Sequence, residues 1–291
     1  MIRSVFMRYP EGRAKAVTFS YDDGILSDRR LADLLAGYGM KATFNLSNCA
    51  ARPAKFSAEE LREVFLSRGH EIAVHGANHR ANGNTRPIEG IRDVLECRLY
   101  LESVCDRIIR GMAYPDSGIT RMGNFGSYGA IKQYLTELDI VYARTLGGDN
   151  DSFRLPDDFH AWMPTAHHDN PEIMAYIEKF LSLDLSAKAY HAARYPRLFY
   201  IWGHTFEFDR KNNWDHIEAI CEKFDSAREE IWFATNIEIF DYVQAYRSLV
   251  WSADGYKVYN PTLLTVWIDV DGVSYRIGSG ETVRIEDVSK K

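Results

Sequence analysis

Apolar runs and apolar stripes alternate along the first 247 residues, and they predict strands and helices in turn. Ala16-Val17-Thr18-Phe19 opens as a strand and stops at Asp22-Asp23-Gly24. Leu31, Leu34, Leu35 and Tyr38 follow at the spacing of one helical face, and Gly39 stops that helix. Lys41–Leu46 reads as a second strand, Ser57-Ala58-Glu59-Glu60 as the capping box of a second helix, and Glu71–Val74 as a third strand entering His75. The pattern then predicts a long helix over 88–107, a strand at Arg110–Pro115, a helix over 127–138 and a strand at Ile140–Arg144. The polar stretch 147–170 reads as loop around a short strand at Ala161–Met163, with Pro171 opening a helix that runs to about 182. Leu198–His204 is the clearest buried strand of the second half. A helix over 213–227, a strand at Ile231–Ala234 and a helix over 237–247 follow it.

The links between these strands are too long for hairpins, so the strands run parallel. The polar residues that interrupt the pattern (Asp22, Asp23, His75, Pro115, Arg144 and His204) all fall at C-terminal strand ends, where barrel enzymes carry their chemistry. Such strands either close as a barrel or stay open and doubly wound; the expected fold is the α/β barrel, of about seven parallel strands over residues 1–247. From 248 to 291 the texture changes to short strands parted by turn residues. Tyr256–Tyr259, Leu264–Ile268, Val273–Ile277 and Thr282–Ile285, with Asp271-Gly272 as a hairpin turn, predict a small C-terminal antiparallel β domain. Such an appendix packs on the main domain or at a subunit interface, and the latter would make the chain a homo-oligomer.

Composition narrows the class. A hydrophobic fraction of 46% over 291 residues is ample for a sizeable core, and a net charge of -6 without a basic cluster argues against nucleic acid as a partner. No stretch approaches the ~20 apolar residues of a membrane span. The first ten residues hold no continuous apolar segment of the kind a secretory signal carries. Cys49, Cys97, Cys105 and Cys221 are scattered, without a CxxC pair, and read as reduced thiols of a cytoplasmic protein.

Two adjacent aspartates at a strand exit repel each other and lose solvation if buried. Asp22 and Asp23 make chemical sense if a metal neutralises one and the other is kept as a base, although Asp-Asp-Gly also suits a plain turn. His75-Gly76-Ala77-Asn78-His79 places two imidazoles four apart, a spacing that brings both to one face of a helical turn. Two nitrogens and one carboxylate oxygen leave positions open for water and substrate.

Thr18-Phe19-Ser20-Tyr21-Asp22-Asp23-Gly24, the pair His75 and His79, and the strand Leu198–His204 resemble, in order and spacing, the motifs of the polysaccharide deacetylase family (carbohydrate esterase family four). The resemblance spans roughly residues 14–235 and implies the distorted barrel. It implies a divalent metal, with Zn2+ the expected ion, on Asp23, His75 and His79. It also implies Asp22 as the general base toward the attacking water and His204 as the general acid toward the departing amine. The chain departs from the family at Ala113-Tyr114-Pro115-Asp116-Ser117-Gly118, where an arginine normally precedes the proline and an aromatic follows it. Arg144 is then the candidate replacement for the base-orienting arginine. The backbone after Pro115 is a candidate oxyanion donor, with Tyr114, Asp116 and Trp202 as further substrate or orienting residues. Asp149-Asn150-Asp151 is only a loose echo of the family's Asp-x-x-Asp-Trp motif. Thr165–Asp169 could contact substrate or a metal, Phe206–Asp209 could line a sugar site, and Gly123–Gly126 with Tyr128 could wall the cleft.

The expected function is therefore metal-dependent removal of an N-acyl group, N-acetyl foremost, from an amino sugar or oligosaccharide. Two alternatives stand beside it: hydrolysis of a non-carbohydrate amide or ureide C–N bond, and sugar binding without catalysis.

Overall fold

A computed structural model describes residues 3–48, 56–124, 126–149, 151–186 and 191–286 of the chain. Seven parallel strands form one curled sheet in the order β6-β5-β4-β3-β2-β8-β7. They are β2 (Lys15–Asp22), β3 (Ala42–Leu46), β4 (Glu71–Val74), β5 (Gly111–Ala113), β6 (Tyr142–Arg144), β7 (Ala166–His167) and β8 (Arg197–Gly203). β2 is the spine, buried at every position. One of its edges carries β8 over Lys15–Tyr21; the other is shared by β9 (Ile231–Phe233) at Lys15–Val17 and by β3 at Phe19–Asp22. The expected α/β architecture of about seven parallel strands is thus what the chain adopts. Wide coverage of both sheet faces explains why its strands are apolar in runs rather than in alternation.

Helices pack outside the sheet. Ser57 and Glu60 form the expected capping box, but the winding then passes from α at Ala58–Glu60 to a π turn at Leu61–Phe65 and a 3-10 turn at Leu66–Arg68. The long helix covers Pro87–Cys105, with the proline at its first turn. Two local expectations need correction. Ala161–Met163 is not a strand: Phe159–Ala161 is a 3-10 turn, Trp162 bridges to Arg144, and the strand comes at Ala166–His167. Residues 162–167 therefore pair first with β6 and then with β8, linking the two ends of the curl. The helix after Pro171 begins at Ile173, since Asn170 and Glu172 form a turn first.

Phe19, Phe153, Phe180, Phe199 and Phe224 pack ring to ring between the sheet and its outer helices. Inside the curl, Trp162 packs edge-on against Tyr142, Phe159 and Tyr200. The end away from the strand exits is pinned by buried Glu71, which accepts from Thr43, Tyr142 and the Ile237 N–H. Burial pushes this carboxyl up to about 7.

After the helix Asn236–Arg247 come β10 (Val250–Trp251), β11 (Lys257–Tyr259), β12 (Val266–Val270), β13 (Val273–Ile277) and β14 (Thr282–Arg284). They form two antiparallel three-stranded sheets, β10-β11-β14 and β1-β12-β13. The last of these takes its third strand from the chain's beginning: β1 (Val5–Arg8) pairs with β12 from Val5↔Val270 to Arg8↔Trp267. The β12–β13 hairpin turns at Asp271-Gly272, both at positive φ (51° and 91°) as that dipeptide predicts. Among the described residues no helix is long and apolar enough to cross a membrane. Cys97, Cys105 and Cys221 are buried and free; Cys49 lies outside the described residues.

Candidate active site at the strand ends

Asp22 is the last residue of β2 and is 2% exposed. One carboxylate oxygen accepts from Asn45 Nδ2 at 2.8 Å, and the other is paired with the Arg144 guanidinium. Arg144 ends β6, is fully buried, and lies over the Trp202 ring at 4.5 Å. Burial works to raise the Asp22 carboxyl. The positive charge of Arg144 and the nearby His75 and His204 outweigh it and hold the group below the usual carboxylate range. Asp22 is therefore a buried, ionised carboxylate oriented by two donors.

Asp23 turns away from it. Its φ of 82° sends the chain off the strand, and Gly24 (φ 65°) continues the turn where a Cβ would press on Leu46. Asp23 Oδ1 lies 3.2 Å from His79 Nε2 and 3.7 Å from His75 Nε2. The two histidines do not sit on a helical turn. Residues 75–79 are a loop with Gly76 at φ 75° and His79 at φ 51°, which folds the rings to 4.8 Å centroid separation. Gly76 is obligatory, since a side chain there would collide with Asp93, whose carboxylate accepts from Asn78. His75 Nδ1 lies 2.9 Å from the Ala113 carbonyl, so it carries the proton and leaves Nε2 as a lone-pair donor. Two donors on a tetrahedral Zn2+ stand about 3.3–3.4 Å apart. The separations here, with all three ligand atoms within 4.8 Å of one another, fit a divalent ion.

His204 follows β8, three-quarters buried, with Nδ1 3.6 Å from Glu207 Oε2. Burial works to lower its pKa; Glu207, Asp22 and Asp23 outweigh it and raise it above the ordinary histidine value. Glu207, from the helix Phe206–Lys211, also lies 3.1 Å from His167 Nε2 and 3.3 Å from His168 Nε2. Burial raises and these imidazoles lower the Glu207 carboxyl, which ends far below its usual range. Burial drives His168 down to about 3.

The structure thus brings Asp22, Asp23, His75, His79, Arg144, Trp202 and His204 to one rim. It does not bring Tyr114 there: its hydroxyl donates to the His160 carbonyl, and its ring is buried. Pro115 packs beside Gly76, and Asp116 is exposed at φ 53°. Sequence reasoning passed over Asn45, whose only signal was an amide inside an apolar strand. It also passed over Asp28, which accepts from Thr205 Oγ1 at 2.6 Å and the Ile25 N–H at 3.1 Å, tying the exit of β2 to that of β8. Burial pushes the Asp28 carboxyl up to about 8. Phe125 and Asn150 lie outside the described residues, so the expectations at Gly123–Gly126 and Asp149–Asp151 are only partly covered.

Residues 9–122 match the polysaccharide deacetylase family. No curated protein matches the chain. Among solved structures it is similar to a family 4 acetyl xylan esterase from Clostridium thermocellum in complex with a cobalt ion, at 15% identity and a TM-score of 0.49, covering 78% of this chain and 90% of that one. It is also similar to the catalytic domain of a peptidoglycan N-acetylglucosamine deacetylase from Eubacterium rectale, at 16% identity and 0.48, covering 79% and 91%. A third match is a family 4 pseudoenzyme mutant with restored enzymatic activity, at 13% and 0.47, covering 80% and 69%.

Proposed function

We propose that this chain, of the polysaccharide deacetylase family by its residues 9–122, hydrolyses an N-acyl bond, N-acetyl foremost, on an amino sugar or oligosaccharide. The observation that carries the reading is Asp22. A buried carboxylate is held ionised by Arg144 and Asn45, one residue from the donor set of Asp23, His75 and His79. When bound by those three residues, a divalent ion, Zn2+ by its ligand types, supplies Lewis-acid activation of water and of the acyl oxygen.

The remaining steps belong to the chain's own residues. Asp22 accepts a proton from the attacking water; its depressed basicity keeps it a carboxylate at neutral pH, and its two donors fix the oxygen that receives the proton. Arg144 would serve in place of the arginine missing before Pro115, reaching Asp22 from β6. His204, raised above its ordinary value by three carboxylates, holds its proton more firmly than a free imidazole and gives it to the departing nitrogen. Trp202 lies beneath the Arg144 guanidinium and backs it at the rim.

The altered third motif supports a second reading. An exposed Asp116 stands where an aromatic wall is expected, which suits a small, polar linear or cyclic amide or ureide better than a sugar chain. Acetate release from N-acetylglucosamine oligomers by metal-loaded protein tests the first reading. Asp22→Asn should lower kcat about 10³-fold with ion content unchanged. Fully loaded wild-type protein that releases no acetate from sugars but hydrolyses a ureide selects the second.

A further inference from the structure

We infer a second divalent-cation site on this rim, with His168 Nε2, Asp169 and Glu207 as its ligands. His168 is fully buried, and neither ring nitrogen makes a hydrogen bond. Its ring is stacked between Tyr21, at 5.7 Å and 14°, and Phe208, at 4.2 Å and 26°. Gly203 is bare of a side chain where His168 Nδ1 lies, so a Cβ there would collide with the ring. A polar ring locked in this way keeps one direction open for Nε2. In that direction stand Asp169 Oδ2 and Glu207 Oε2, each at 3.3 Å.

These separations match the edges of a tetrahedral ion's ligand shell, about 3.3–3.4 Å for Zn2+. The ligand atoms of His167, His168, Asp169 and Glu207 all lie within 4.8 Å of one another. His167 has a different part. Its Nδ1 accepts the Asp169 N–H at 3.1 Å, so its proton is on Nε2, which faces Glu207 at 3.1 Å. It orients a ligand without being one, as outer groups around metal ligands do. Lys211 Nζ, 2.5 Å from Asp169 Oδ2, competes with a cation for that carboxylate. One imidazole and two carboxylates, with water completing the shell, suit a divalent transition ion.

The site touches the catalytic reading through Glu207, which lies 3.6 Å from His204 Nδ1. An ion drawing on Glu207 lowers the proton affinity of His204, so this consequence rests on the function proposed above. The site itself does not.

Equilibrium dialysis of the full chain against Zn2+, read by atomic absorption, separates the two. Wild type should hold two ions per chain, His79→Ala one, Asp169→Asn one, and the double variant none. Lys211→Met, which removes the competing ammonium, should tighten the weaker ion about tenfold. One ion in wild type that Asp169→Asn leaves in place, or two in Asp169→Asn, overturns the second site. If Asp169→Asn loses the wild-type far-ultraviolet circular dichroism, Lys211→Met decides, and an unchanged Kd overturns the site. Loss of the His79-dependent ion with the Asp169-dependent ion retained would instead count against the proposed function.

Discussion

His75 and His168 are both buried imidazoles at strand ends on one rim, yet they are held by opposite means. His75 is oriented by a hydrogen bond to the Ala113 carbonyl, and its neighbour Asp22 by Asn45 and Arg144. His168 is oriented by ring stacking against Tyr21 and Phe208 and by the bare backbone of Gly203. Hydrogen bonds fix direction and also tune charge, so the Asp22 side is set for proton transfer. Packing fixes direction and leaves both ring nitrogens without partners, which suits a ligand and not a proton carrier. The charge states follow: Arg144 keeps Asp22 ionised against its burial, and burial keeps His168 neutral.

Substitutions can break either means separately. Arg144→Met strips the buried partner of Asp22 and should cost about 3–5 kcal/mol of stability, read by urea unfolding. It also raises the Asp22 carboxyl, so any residual activity should fade at a higher pH on acidification than in wild type. Asn45→Leu removes only the second donor and should lower kcat about 10–100-fold with ion content unchanged, read by steady-state kinetics; a wild-type kcat would show that Arg144 alone orients the base. Gly203→Ala forces a methyl into the His168 ring and should cost about 1–3 kcal/mol without altering the His79-dependent ion, read by thermal unfolding and dialysis.

A pH-dependent effect belongs to Asp28, which joins the two sides. Its carboxyl rises to about 8 in the folded protein from an ordinary 3.8. Between those values the folded state keeps a proton that the unfolded state releases, so stability falls as pH rises through that window. Asp28→Asn should flatten this slope, measured as the difference in unfolding free energy between pH 5 and pH 8. Glu71, pushed up to about 7, contributes in the same sense and remains in the variant. An identical slope in both proteins would show that Asp28 is ionised.

Much of this rim is legible in the sequence because its residues interrupt apolar strands at their ends, as Asp22-Asp23-Gly24 and His204 do. The pair His75 and His79 was legible for a mistaken reason: a helical spacing was expected, and two left-handed residues fold the loop instead. The placement of Arg144 beside Asp22 followed from a strand end and from the arginine missing near Pro115. Asn45 and Asp28 were hidden because their partners, Asp22 and Thr205, are distant in sequence and meet only through strand register. Glu207 was seen only as one of several acids after His204, since its helix sets which one turns inward. Trp162 misled because its bridge to Arg144 mimics a strand while the strand itself starts at Ala166.

The pairing of β1 with β12 bears on how this molecule is born. Ser4 donates its N–H to Asp271 across 267 positions, and the whole sheet edge of β1 waits for strands made that much later. At about 5–20 residues per second, that is a delay on the order of tens of seconds. During it Val5–Arg8 stays an uncovered strand edge open to wrong partners. That sheet therefore closes after the barrel strands between its two halves, and a cell would meet this protein first with the edge of β1 unsealed.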